Sequence, residues 1–209
     1  MKLFHLSDLH IGKRVNEFSM IEDQKYILKR ILDLAEEEKP DGIILAGDIY
    51  DKQIPSAEAV QVFDEFITRL AGRAIPVFII SGNHDSAERL AFGGRLLNSR
   101  GIYLSPVYDG SVTKIPLKDQ YGTVWIHLLP FIRPSTVRHV FENEADLVTD
   151  VQTAAETVIR HMEIDLKDRN ILVAHQFVTG ASRCESEDVQ VGGLDNIDAA
   201  VFTPFDYTA

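Results

Sequence analysis

Four short stretches of the sequence carry side chains able to grip a divalent cation: Ser7-Asp8-Leu9-His10, Gly47-Asp48, Ser81-Gly82-Asn83-His84-Asp85 and the isolated His175. Carboxylate, imidazole and amide oxygen together suit a borderline-hard ion such as manganese, iron or zinc, and a set without thiolates is unlike a structural zinc site. The chemistry such donors point to is hydrolytic. An isolated Asp-x-His arises readily by chance, and an aspartate after a strand is ordinarily a cap or turn residue. The weight therefore rests on the set, in which Gly-Asn-His-Asp is the sharpest run. Gly47 and Gly82 stand beside donors, where only a residue without a Cβ lets the backbone come close and turn sharply. Asp51, placed one helical turn past Asp48, is a candidate to orient a ligand rather than to be one.

Each donor falls where an apolar run has just ended. That is where layered α/β domains build sites, because the strand fixes the backbone while the loop frees the side chain. Strands are expected at 2–6, 42–46, 75–80, 111–116, 123–128, 170–174 and 199–202. Helices are expected at 22–38, where Ile27, Leu28, Ile31, Leu34 and Ala35 recur at helical spacing ahead of Pro40, and at 56–71, with Ser56 as N-cap. Two more are expected at 86–99 and 149–163. Between 106 and 128, turn signals at Tyr108-Asp109-Gly110 and Gln120-Tyr121-Gly122 punctuate strands with no helix between them, which predicts a local antiparallel portion. Residues 180–193 are rich in Gly, Ser, Glu and Asp and read as a mobile loop. No internal repeat, low-complexity tract or domain boundary stands out.

A chain of 209 residues with 45% hydrophobic and 25% charged content fits one sizeable domain with a packed core. No stretch reaches the roughly 18 to 20 apolar residues of a membrane span, and polar groups interrupt the first apolar run, unlike a signal peptide. The expected compartment is the cytoplasm. Cys184 is the single cysteine, which excludes an intrachain disulfide and a cysteine-built zinc site. A net charge of −11 disfavours a protein that grips nucleic acid by a broad basic face. Two bound divalent cations would reverse that sign locally, where a phosphate must sit. No Gly-x-x-x-x-Gly-Lys-Ser/Thr cradle for ATP phosphates occurs in the sequence.

Taken together, the blocks Asp8-x-His10, Gly47-Asp48, Gly82-Asn83-His84 and the later His175 resemble the signature of the calcineurin-like metallophosphoesterases. The strings SDLHIGK, AGDIYD, SGNHDSAERL, LPFIRP and FTPFDYTA resemble, within that superfamily, the SbcD-type nuclease subunits of bacterial SbcCD exonucleases, over essentially the whole chain. The resemblance implies a four-layer α/β/β/α sandwich and a centre of two divalent ions, Mn²⁺ by expectation. Asp48 would bridge both ions, Asp8 and His10 would belong to the first, and Asn83 and His175 to the second. His84 would touch the scissile phosphate and donate a proton to the leaving oxygen.

The implied activity is that of a DNA exonuclease and endonuclease acting on duplex ends and hairpins in repair, recombination and replication. The implied partners are DNA, an SbcC-type coiled-coil ATPase and a second copy of the chain. The family pattern also calls for a Gly-His-x-His block after the strand near Tyr207, a small capping domain and a partner-binding C-terminal segment. The 209 residues contain none of these, so residues 1–209 are expected to form the nuclease domain truncated at its C-terminal side, binding metal weakly and cleaving little.

Two other readings stay open: a phosphatase or small-molecule phosphodiesterase of the same superfamily, and a scaffold that kept the fold without catalysis. His5 and His127 read as strand histidines satisfied within the fold, and His139 and His161 as solvent-facing helix residues. Lys13 and Arg14 fit a DNA backbone contact as well as a solvated turn. Arg89, Arg95 and Arg100 lie near enough to the site to meet substrate, and the apolar surface around them is where the resemblance places subunit pairing.

Overall fold

The computed structural model describes residues 1–179 and 196–209. Its elements run β1 (Leu3–Leu6), the small pair β2 (Arg14–Val15) and β3 (Phe18–Ser19), α1 (Ile21–Glu38), β4 (Gly42–Ala46), α2 (Ala57–Ala71) and β5 (Val77–Ile80). There follow the single-turn helices α3 (Ala87–Leu90) and α4 (Gly94–Leu97), then β6 (Ile102–Leu104), β7 (Thr113–Asp119), β8 (Gly122–Leu128), α5 (Pro134–Val140) and α6 (Val151–His161). The last are β9 (Arg169–Val173), β10 (Val178–Thr179), β11 (Ile197–Asp198) and β12 (Tyr207–Thr208).

Two four-stranded sheets form the centre, in orders β1-β4-β5-β6 and β12-β9-β8-β7. The first is wholly parallel, and in the second only the β7–β8 pair is antiparallel. Side chains alternate across a strand, and here both faces are apolar. Ile43 and Leu45 of β4 and Val77 and Ile79 of β5 pack under α1 and α2, with Leu28, Leu32, Phe63 and Phe66. Their neighbours Ile44, Ala46, Phe78 and Ile80 meet Val124, Ile126, Leu128 and Val173 of the second sheet. On the far side, Leu172 packs with Val137, Ala154, Ala155 and Val158 of α5 and α6. The result is the α/β/β/α sandwich, with continuous apolar runs where strands are covered on both faces.

Local chemistry sets the element ends. Ser56 Oγ accepts from the Ala59 N–H (3.2 Å), and Asp150 and Thr153 form a reciprocal cap on α6. The expected helix over 86–99 is broken instead into α3, α4 and a turn of 3₁₀ helix at Asn98–Arg100, because Gly93 turns left-handed (φ 75°) before a second glycine. The strand expected at 199–202 is a 3₁₀ turn, Ala199–Phe202, started by the Asp198 carboxylate accepting from the Ala200 N–H (2.9 Å). Asp198 offers the backbone a local partner that a strand ladder would have had to supply. Helix α5, opened by Pro134, and the three-residue edge strand β6 went unforeseen. The antiparallel portion expected near 106–128 is the β7–β8 hairpin, whose two-residue turn pairs Asp119 with Gly122. The loop expected at 180–193 and Cys184 lie outside the described residues.

A candidate metal centre at the strand ends

Four loops leave the carboxyl ends of β1, β4, β5 and β9 on one edge of the sandwich, and all five expected ligands and His84 are on them. Cross-loop backbone bonds fix the first two: the N–H groups of Asp8, His10 and Ile11 donate to the carbonyls of Gly47, Asp48 and Ile49 at 3.2, 2.9 and 2.9 Å. Asp8 (φ 55°), His10 (φ 41°), Gly47 (φ 91°) and Asp48 (φ 49°) are all left-handed. Asp tolerates that region better than most residues, and such a concentration of unfavourable backbone is typical of places where side chains must be aimed. Close approach explains both glycines. A Cβ on Gly47 would lie 2.5 Å from His175 Nδ1, and one on Gly82 would lie 2.1 Å from Asp48 Oδ1.

Asp48 is the hub. Its side chain is 3% exposed; Oδ2 stands 3.6 Å from His10 Nε2 and 3.4 Å from His175 Nε2, while Oδ1 accepts from the His84 N–H at 2.9 Å. Among the described residues, two groups hold donor atoms mutually within 4.8 Å: His10, Asp48 and His84, and Asp8, Asp48 and His175. Asn83 Oδ1 is 3.1 Å from His175 Nε2, and Asp8 Oδ1 is 3.7 Å from His10 Nε2. Asp48 is common to both groups. Asp8 lies close to His175 as well as to His10.

The donors fit a cation in three respects. His175 Nδ1–H donates to the Ala46 carbonyl (2.7 Å) and His84 Nδ1–H to the Asp51 carbonyl (3.1 Å). A carbonyl can only accept, so each Nε2 is left to act as a ligand or an acid. Among the described residues buried His10 Nδ1 has no hydrogen-bond partner, an orphaned polar atom beside the carboxylates. The electrostatics agree. The neighbouring His10 imidazole, helped by the Ser7 hydroxyl, holds Asp8 down to about 2 against its burial. Burial pushes Asp48 upward, but the His175 hydrogen bond and charge and the His84 N–H together bring it below its ordinary value. His10 is raised, chiefly by the Asp8 carboxylate beside it. Burial lowers His175, yet Asp48 outweighs it and the net shift is upward. Asp8 and Asp48 are held toward the charged form and His10 and His175 toward the protonated form, and a divalent ion would take the place of those protons.

Asp51 is not on a helix; it lies in the loop after β4, with Oδ1 3.8 Å from His10 Nδ1 and its carbonyl on His84. Two residues support the centre in ways the sequence does not reveal. Asp85, the last residue of the Gly-Asn-His-Asp run and 6% exposed, accepts from the N–H groups of Ile49 (3.0 Å), Tyr50 (2.9 Å) and Gly82 (2.9 Å), stapling the β4 and β5 loops together rather than pointing to a cation. Gln24 on α1 holds the first loop and gave no signal, since a polar residue in the first turn of an amphipathic helix reads as solvated. The other histidines lie away from the centre. His127, 2% exposed, shares a 2.9 Å hydrogen bond with Asn170, and His5 Nδ1 meets the Tyr207 hydroxyl at 3.0 Å. His139 is exposed, and His161 is exposed but capped onto the Thr157 carbonyl at 2.8 Å.

A sandwich of this layering with such donors at its strand ends defines a metallophosphoesterase. The chain belongs to the calcineurin-like phosphoesterase family, whose model matches residues 1–201. It is similar to the SbcD subunit of the nuclease SbcCD from Staphylococcus saprophyticus, 32% identical over 210 aligned positions that cover 99% of this chain and 54% of that protein. The chain thus spans about half the length of the curated relative it matches. Among the described residues no helix is long and apolar enough to cross a membrane.

Proposed function

We propose that residues 1–209 form the nuclease domain of an SbcD-type, metal-dependent phosphodiesterase that hydrolyses DNA at duplex ends and hairpins. The observation that carries this reading is the convergence on Asp48 of Asp8, His10, His84 and His175, drawn from three other loops. Asp8, His10, Asp48, Asn83 and His175 would hold two divalent ions, with Mn²⁺ the expected metal. When bound, the pair supplies Lewis acidity: it lowers the pKa of water and neutralises charge on a phosphate in flight.

The chain's own residues do the rest. Asp48, almost fully buried, keeps its carboxylate ionised between the imidazoles and gives the centre a fixed midpoint. His84 is exposed, anchored through Nδ1 and free at Nε2, which suits it to touch a phosphate oxygen and pass a proton to the leaving alkoxide. The open, solvent-facing placement of Asp8 and His84 fits a polymeric substrate better than a small enclosed one. The similarity to a nuclease subunit supports DNA as that substrate and a coiled-coil ATPase of the SbcC type as a partner. A cytoplasmic location and a role in DNA repair and recombination follow from the same reading.

Pairing of two copies is part of it too: Phe92 (87% exposed) and Leu96 (79% exposed) form an apolar surface on the segment after His84. The test compares a linear duplex and a DNA hairpin with p-nitrophenyl phosphate, all with Mn²⁺. Whatever its rate, cleavage is expected to favour DNA over the monoester. Turnover of the monoester with intact DNA would make the protein a phosphatase of the same family.

A further inference from the structure

The first loop has an unusual problem. It carries Asp8 and His10, yet it is left-handed at Asp8 (φ 55°), His10 (φ 41°) and Gly12 (φ 93°), and such backbone relaxes unless its surroundings over-determine it. Its N–H groups on one side are spent on the β4 loop. On the other side the His10 carbonyl accepts the Lys13 N–H (3.0 Å), and one side chain from α1 adds three more bonds. Gln24 Nε2 donates to the carbonyls of His10 (2.7 Å) and Leu9 (3.1 Å), and Gln24 Oε1 accepts from the Gly12 N–H (2.9 Å). A primary amide has two N–H donors and one carbonyl acceptor. Here both donors and the acceptor are used, all on consecutive turns of one loop.

We propose that Gln24 is a positioning residue for His10: it touches no ion, but its amide fixes the backbone from which the His10 imidazole is aimed at Asp48. This inference rests on the metal reading above. His10 is the donor most exposed to misplacement. Among the described residues its Nδ1 has no hydrogen-bond partner, whereas Nδ1 of His84 and of His175 is tied to a carbonyl. With Nδ1 unanchored and only the Asp8 and Asp48 carboxylates at 3.7 and 3.6 Å from Nε2, the aim of the His10 ring rests on its backbone, which Gln24 braces. The competing view makes Gln24 a loop tie that contributes stability alone. The two differ in what happens to the ion on the His10 side of Asp48.

The test uses Gln24→Met, which keeps length and removes every polar atom, and Gln24→Glu, which keeps the acceptor for Gly12 and sets an oxygen against two carbonyls. Mn²⁺ titration by calorimetry and the visible absorption of the Co²⁺-loaded protein report on the two ions. Loss of an outer partner of a ligating histidine characteristically weakens metal binding about 10- to 100-fold. That weakening is expected for one ion of the pair, with an altered Co²⁺ spectrum, and a change under about threefold for the other.

A metal-free arm makes the proposal independent of loading. In EDTA, the ring protons of His10, which lies edge-on to His84 with ring centroids 4.9 Å apart, should shift in Gln24→Met. Variants that keep both affinities, the Co²⁺ spectrum and the His10 ring shifts overturn the proposal, even if their melting temperature falls. A wild-type protein that takes up no Mn²⁺ overturns the metal reading and this inference with it. Should Gln24→Met fail to fold, Gln24→Glu carries the same comparison.

Discussion

Replacing Asp85 with Asn should loosen the centre from behind without touching a proposed ligand. The Asp85 carboxylate accepts three backbone N–H groups, two on Oδ2 from Ile49 and Gly82 and one on Oδ1 from Tyr50. An Asn side chain has one acceptor. Its better orientation keeps the Oδ2 pair and turns an NH₂ group toward the Tyr50 N–H, so one buried donor is unpaired and faces another donor. A hydrogen bond to a charged acceptor contributes about 1.5–3 kcal/mol, and a buried donor left unmade costs a similar amount.

Two bonds also weaken as their acceptor loses its charge. Against this, burial raises the pKa of Asp85, so removing the charge gives some relief. The net cost is about 2–3 kcal/mol, which for a domain of this size lowers the melting temperature by about 4–12 °C. Thermal denaturation in EDTA measures the stability change, and Mn²⁺ calorimetry should then show affinity reduced by at least tenfold, because the β4 and β5 loops lose their staple. Asp85→Asn protein that melts with the wild type and binds Mn²⁺ equally well would refute the claim that this carboxylate holds the two loops in register.

The two glycines at the centre should each reject a methyl group: Gly47→Ala meets His175 Nδ1 at 2.5 Å, and Gly82→Ala meets Asp48 Oδ1 at 2.1 Å. Both should lose more than tenfold in Mn²⁺ affinity by calorimetry while keeping a folded far-UV spectrum. The pKa of His127 lies below its ordinary 6.5, since burial lowers it despite the hydrogen bond to Asn170. The unfolded chain then binds the proton more readily, so His127 contributes stability that is fully present above 6.5 and is lost as pH falls below it. NMR titration of the ring and denaturation midpoints at pH 7 and 5.5 check this, and His127→Gln should show a smaller loss between the two. Leu96→Glu should convert a dimer into a monomer by light scattering, leaving Mn²⁺ affinity within threefold.

The sequence made the layered fold legible because strands covered on both faces are unbroken apolar runs: Ile43 to Ala46 and Val77 to Ile80 could hardly be anything else. The donors were legible for the same reason, each standing within four residues of the end of such a run. What stayed hidden depends on contacts distant in the chain. The 36-residue span from Asp85 to Ile49 and the helix-to-loop bonds of Gln24 have no local pattern. Helix α5 is short and begins at a proline, and β6 is held only by the edge of β5. The helix expected through Gly93 and Gly94 failed because apolar spacing was weighed above two adjacent glycines. The strand expected at 199–202 failed because the run Ala199-Ala200-Val201-Phe202 follows an aspartate that caps it.

Everything proposed for this protein depends on two cations sharing Asp48. Crystals soaked in Mn²⁺ and measured at the manganese absorption edge would report on that directly. The expected result is a pair of anomalous peaks about 4 Å apart on either side of the Asp48 carboxylate, both absent in Asp48→Asn crystals. Peaks elsewhere on the surface, or a pair undiminished by Asp48→Asn, would contradict it.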